Sequence, residues 1–219
     1  AHAPGAKIDG RACGTFGDIG CFSFFSNKNL SIGEGGMVST LDPQLDKKLG
    51  YLRSHGMTTL TLDRHKGRAV NYDVAQPGSN YRMDEVRAAI GSAQLDKLPA
   101  GNVRRGELTD RYRGNLQGSV VTIPFKNQAS NFASVYHILP VLLPNNTDRV
   151  AVIEALKEKG IQSSIHYPPF WDFTAYKGRF SPNDSPVTAD ICRRQLTLPL
   201  FPTMTDYEVD QVCNALLEA

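Results

Sequence analysis

One lysine stands where an apolar run gives way to polar residues. The stretch is Phe22-Ser23-Phe24-Phe25-Ser26-Asn27-Lys28-Asn29-Leu30, followed by Gly33-Glu34-Gly35-Gly36-Met37-Val38. A primary amine fixed at the end of a strand, among small and hydroxyl-bearing neighbours, is suited to forming a Schiff base with a carbonyl. Partial burial lowers the pKa of such an amine towards its neutral, nucleophilic form. The same residues also describe a solvated turn lysine, since most lysines are solvated, and the pattern alone leaves both readings open.

The elements around Lys28 follow from periodicity and turn chemistry. Ile19 to Phe25 is apolar and β-prone, which predicts a buried strand, and Gly36 to Leu41 a second, short one. Asp42-Pro43 opens a helix, with Asp as N-cap and Pro at the first helical position; Leu45, Leu49 and Leu52 form its apolar stripe. Gly56 to Gly78 reads as a long polar loop, the kind that is usually functional or disordered. Arg82 to Leu98 is helical, Pro99-Ala100-Gly101 is expected to interrupt it, and Arg104 to Leu116 resumes the pattern.

Beyond that point the sequence predicts a small α+β domain. Val120 to Pro124, Val135 to Leu143 and Ile161 to His166 are expected strands. Thr147-Asp148 starts a helix to Lys159 that Gly160 closes. Pro168 to Asp184 is a loop rich in proline and aromatic residues, and Val187 to Gln195 is helical. A capping box over Thr205-Asp206-Tyr207-Glu208 opens the last helix, with Val209, Val212 and Leu216 inward.

Composition narrows the function classes. The 219 residues are 41% hydrophobic and 21% charged, ordinary for a soluble globular chain. A net charge of +2 gives no basis for nucleic-acid binding, and no apolar run is long enough for a membrane span. Cys13, Cys21, Cys192 and Cys213 form no Cys-x-x-Cys pair and stand at no zinc-ligand spacing from a histidine, so no metal is expected. They read as free thiols of a cytoplasmic protein.

Several ordered motifs resemble one family. Ser-Phe-Phe-Ser-Asn-Lys28-Asn-Leu with Gly-Glu-Gly-Gly-Met is similar to the lysine motif of the DegT/DnrJ/StrS sugar aminotransferases, fold-type I enzymes that use pyridoxal 5′-phosphate (PLP). Ala1-His2-Ala3-Pro4-Gly5-Ala6 resembles the segment before that lysine. Gly78-Ser79-Asn80-Tyr81-Arg82-Met83, His166-Tyr167-Pro168 and Leu198-Pro199-Leu200 resemble motifs after it. The likeness runs through essentially the whole chain in the right order.

The resemblance implies an α/β fold. Residues 1–101 would be the C-terminal part of a large PLP-binding domain with a mostly parallel sheet, and residues 102–219 a small C-terminal α+β domain. It implies Lys28 as the cofactor lysine and proton-moving base, rather than the histidine of dehydratase relatives. It also implies Ser23 on the cofactor phosphate, His2 beside the ring and Asn80 reaching across a homodimer to the partner's phosphate. His55, His166 and Tyr167 match positions near the substrate. The residue-level alternatives are a strand serine, a turn asparagine and histidines bonded within the fold. The implied reaction moves an amino group from glutamate to a keto sugar nucleotide; an amine acceptor such as a keto-inositol is the near alternative. Family members carry a further stretch before the counterpart of Ala1, with the carboxylate for the pyridine nitrogen and the helix N-terminus for the phosphate, so the sequence is expected to be part of a longer chain. A truncated, non-catalytic relative acting as an interaction or regulatory module is the second reading.

Overall fold

The computed structural model of the chain describes residues 1–58, 66–67, 71–125 and 130–219. The chain forms two compact units: Ala1–Pro99 with Asn131–Ala133, and Ala100–Ser130 with Ser134–Ala219.

The first unit is built on short antiparallel pairs. β1 (Lys7–Ile8) pairs with β2 (Arg11–Ala12) on one side and β5 (Phe132–Ala133) on the other. Asp9 and Gly10 join β1 to β2, both at positive φ (50° and 75°). Asp-Gly is the pair that a two-residue hairpin of this handedness selects. β3 (Gly20–Ser23) pairs with β4 (Gly36–Ser39) in the register Gly20↔Ser39, Ser23↔Gly36. α1 (Pro43–Arg53) starts as its sequence predicts: the Asp42 carboxylate accepts from the amides of Gln44 (2.7 Å) and Leu45 (3.4 Å).

Two expectations are corrected in this unit. Every ladder among the described residues is antiparallel, where a mostly parallel sheet was expected. Parallel neighbours need a crossover, usually a helix, whereas the segment between β3 and β4 holds no helix and folds back on itself through the main-chain bonds of Phe24 to Ile32 and Gly35. The strand expected over Ile19 to Phe25 is shorter and is not buried: Ile19 is 43% and Phe25 41% exposed. Among the described residues β3 and β4 form a two-stranded sheet, which covers little of either face.

α2 (Glu85–Asn115) is one continuous helix with Pro99 inside it, so the expected interruption at Pro99-Ala100-Gly101 does not occur. An internal proline removes a hydrogen bond and costs about 3 kcal/mol in an isolated helix. Here anchors on both flanks hold the helix. Leu98 is buried with Leu30 and Ile32, and Leu108, Tyr112 and Leu116 enter the core of the second unit at helical spacing.

That second core gathers Leu108 and Tyr112 from α2 with residues of four further elements. These are β6 (Leu139–Leu142), α3 (Arg149–Glu158), β7 (Gln195–Leu198) and α5 (Asp206–Glu218). β6 and β7 are antiparallel, Leu139↔Leu198 to Leu142↔Gln195. Single bridges extend this pair on both sides, Thr122↔Leu142 and Ser164↔Thr197. The strands expected over Val120 to Pro124 and Ile161 to His166 are thus reduced to one bridge each.

Helix ends follow the sequence closely. Asp148 caps α3 through Val150 and Ala151, and Gly160 stands after its end at φ 75°. Thr205 and Glu208 close a reciprocal capping box on α5, whose Val209, Val212 and Leu216 are buried. α4 (Pro186–Arg194) ends where β7 begins. The aromatic loop before it carries three short 3-10 turns, at Phe170–Asp172, Thr174–Tyr176 and Pro182–Asp184. No helix among the described residues is long and apolar enough to cross a membrane.

Candidate active site

Lys28 lies in the loop that joins β3 to β4, and a main-chain clasp closes that loop. The amide of Phe24 donates to the carbonyl of Gly35 (2.8 Å), and the carbonyl of Phe24 accepts from the amide of Ile32 (2.9 Å). Inside the clasp, the Lys28 amide donates to the carbonyl of Phe25 (3.0 Å), forming a tight turn. The amide of Phe25 in turn donates to Ser23 Oγ (3.4 Å). Leu30 and Ile32, both buried, anchor the loop two and four residues after the lysine. The Lys28 side chain is half-buried.

The glycines here serve close approach. A Cβ on Gly36 would lie 2.8 Å from the carbonyl oxygen of Phe22, and one on Gly35 would lie 2.4 Å from Ile32 Cδ1. Gly33 adopts φ 84°, a left-handed turn that favours glycine. Glu34 is exposed in this turn.

Two other candidates are brought together by a second ladder. The His55 amide donates to the carbonyl of Ser79 (2.9 Å), and Ser54 bridges Asn80 in antiparallel fashion. The pairing continues through Ala75 to Gly56 and Thr58 to Asp73 (both 2.9 Å), so the ends of the expected loop from Gly56 to Gly78 are paired segments. Arg64, His65 and Arg68 of this segment lie outside the described residues; Lys66 is exposed in a turn. The backbones meet so closely that a Cβ on Gly78 would fall 2.3 Å from the Gly56 nitrogen. His55, at φ 59°, and Asn80 are both exposed.

His2 is half-buried, and the preceding residue, Ala1, donates its amine to the carbonyl of Cys21 on β3 (3.4 Å). The chain terminus next to His2 thus meets the strand that carries Ser23. His166 and Tyr167 belong to the second unit. Tyr167 packs edge-to-face on the His166 ring at 5.0 Å and is itself 58% exposed.

The Leu198-Pro199-Leu200 motif has a structural explanation. Its carbonyls receive the Tyr112 hydroxyl (Pro199, 2.9 Å) and the Arg105 guanidinium (Leu200, 2.6 Å) from α2. Burial lowers the pKa of Arg105 and raises that of Tyr112. Sequence reading passed over Gln195 and Thr197, which contact His166. Their signal was two polar residues at strand period in the otherwise apolar run Gln195-Leu196-Thr197-Leu198. Among the described residues, no cluster of three or more histidine, cysteine or acidic side chains could hold a metal.

The family model for DegT/DnrJ/EryC1/StrS aminotransferases matches residues 1–217. The chain belongs to this family. An Acidithiobacillus ferrooxidans member, UDP-N-acetyl-3-dehydro-alpha-D-glucosamine 3-aminotransferase, is 34% identical over 217 residues, covering 99% of this chain and 54% of that protein. Spr1654 of Streptococcus pneumoniae, in its PMP form, superposes with a TM-score of 0.90 at 29% identity, covering all of this chain and 57% of that one. PseC of Helicobacter pylori, an aminotransferase involved in pseudoaminic acid biosynthesis, gives 0.89 at 26% identity, covering 100% and 57%. The chain spans about half the length of the curated relatives it matches.

Family membership, with the PLP and PMP forms of the pneumococcal neighbour, indicates pyridoxal 5′-phosphate as the cofactor. The donors in the first unit fit such a group. A half-buried primary amine suits its aldehyde, and a hydroxyl whose proton is not used by its main-chain contact suits a phosphate oxygen.

Proposed function

We propose that the chain serves a PLP-dependent aminotransferase that moves an amino group from glutamate to a keto sugar nucleotide, in amino-sugar biosynthesis. The observation that carries this reading is the half-buried Lys28 in a loop clasped at both ends by Phe24 and anchored by Leu30 and Ile32. The named activity of the A. ferrooxidans relative supports a keto sugar nucleotide as acceptor.

In this reading Lys28 holds the cofactor aldehyde and then moves a proton at the substrate carbon. The bound cofactor supplies the electron sink that stabilises negative charge at that carbon. Ser23 donates its hydroxyl proton to the phosphate, and His2 lies along the ring. Asn80 reaches the phosphate of a partner subunit, which makes the working form a homodimer with sites built from both chains. His55, His166 and Tyr167 orient substrate. Residues 1–101 act as part of the large domain and 102–219 as the small one, and the enzyme works in the cytoplasm.

The test is the visible absorbance of the purified protein with and without added PLP. A band that saturates with PLP and is lost in Lys28→Ala supports the reading. A wild-type protein with no such band contradicts it.

One observation favours a second reading, a non-catalytic interaction module. Met37 and Val38 of the β3–β4 hairpin are about half exposed, as are Phe16 and Ile19 before it. Apolar surface of this kind favours association. A protein without cofactor absorbance that self-associates through this hairpin would favour that reading.

A further inference from the structure

His166 is held by a network whose hydrogen positions can be assigned. Its main-chain amide donates to Gln195 Oε1 (2.9 Å). A peptide N–H can only donate, so this contact fixes which end of the Gln195 amide is oxygen. Gln195 Nε2 is then the donor in its 2.6 Å contact with Thr197 Oγ1. The Thr197 hydroxyl, having accepted that proton, must send its own along a different direction. Thr197 is a buried residue, 5% exposed, so that proton needs a protein acceptor. His166 Nδ1 lies 2.9 Å from Thr197 Oγ1. A hydroxyl donating to Nδ1 requires Nδ1 to carry no proton, which leaves the proton of the neutral imidazole on Nε2.

The Ser164 hydroxyl is 3.4 Å from the same Nδ1. It is exposed and can donate or accept, so it does not choose the tautomer. Tyr167 packs edge-to-face on the ring at 5.0 Å. Gln195 and Thr197 sit two apart on β7, so both side chains leave the same face of the strand, and the Ser164↔Thr197 bridge sets the segment of His166 against it.

We propose that Gln195 and Thr197 are positioning residues that fix the proton of neutral His166 on Nε2, so that the imidazole meets substrate as a hydrogen-bond donor to an oxygen acceptor. The acceptor would be a carboxylate, hydroxyl or phosphate oxygen. This consequence rests on the proposed substrate role of His166; the tautomer itself does not.

The experiment is nitrogen–proton correlation NMR of the full chain with 15N-labelled histidine, at pH about 8, above the ordinary histidine pKa range. His166→Asn assigns the resonance. The expected wild-type signal has a pyridine-like Nδ1 and a pyrrole-like Nε2. Thr197→Val, which removes the hydroxyl proton, shifts the pair towards a tautomer mixture, and Thr197→Ser restores the wild-type pattern. A pyrrole-like Nδ1 in the wild type overturns the proposal, as does a Thr197→Val spectrum equal to wild type. Should Thr197→Val fail to fold, the wild-type spectrum still decides. No cofactor is needed for this readout, so it fails or holds separately from the PLP reading of Lys28.

Discussion

The amide of Lys28 donates to the carbonyl of Phe25 at 3.0 Å, and the amide of Phe25 donates back to Ser23 Oγ at 3.4 Å. Phe25 therefore links the proposed phosphate hydroxyl to the proposed cofactor lysine through main-chain contacts. The Ser23 contact is long, so its loss costs the fold little. Ser23→Ala should leave thermal stability near wild type while weakening PLP binding. A hydrogen bond to a charged group contributes roughly 1.5–3 kcal/mol, so the dissociation constant should rise on the order of 10- to 100-fold. Equilibrium titration with PLP, followed by absorbance, measures this.

Glycine at the His55–Asn80 ladder is dictated by backbone contact. At Gly56, a Cβ would lie 1.6 Å from the carbonyl oxygen of Gln76, and φ is 73°. Gly56→Ala should destabilise the chain by roughly 1–3 kcal/mol through strain. Denaturant unfolding gives the number. Hydrogen exchange should show faster exchange at the amides of His55 and Ala75, which the ladder protects.

Between α2 and α5, Asp210 receives the Arg111 guanidinium at two oxygens (2.8 and 2.6 Å) and the Asn115 amide (2.6 Å). The Arg111 guanidinium first, then the Asn115 amide, holds its carboxyl at about 2. A folded-state pKa below the unfolded value means that the native state binds fewer protons in that interval. The contribution is complete above the ordinary carboxylate pKa of 3.8 and is lost as pH falls from there to about 2. Thermal melts across this window should show the wild type losing stability more steeply than Asp210→Asn. Equal slopes would contradict the assignment.

The second unit depends on a tightly filled core. Leu156, on α3, is fully buried beside residues of α5. Leu156→Ala removes contacts and leaves a cavity, a change that costs about 2–5 kcal/mol. Tyr112→Phe keeps the ring but leaves the Pro199 carbonyl without its donor, which costs about 1–3 kcal/mol. Chemical denaturation should rank Leu156→Ala as the more damaging of the two.

Local chemistry made much of this chain legible. Asp42, Asp148 and Thr205 cap helices where the sequence places them, because a cap is decided by neighbours within four residues. The buried positions of α5 follow from 3.6-residue periodicity in the same way. Long-range effects were hidden. Pro99 reads as a breaker because its local cost is visible, while the anchors at Leu98 and Leu108 that override it appear only in the folded chain. The apolar run at Ile19 to Phe25 reads as buried because composition does not state how many strands cover it. At the site, the lysine motif located the loop, but the clasp joins Phe24 to Ile32 and Gly35, eight and eleven residues on, and leaves no local signature. Gln195 and Thr197 were missed because a polar residue in a buried strand shows its purpose only when its partner is known.

The central claim is that Lys28 carries the cofactor. Incubation of the chain with PLP, borohydride reduction and peptide mass mapping tests it most directly. The expected result is one stoichiometric pyridoxyl modification on the peptide containing Lys28, abolished in Lys28→Ala. Label spread over exposed lysines such as Lys47 and Lys159, with none enriched at Lys28, would contradict the account.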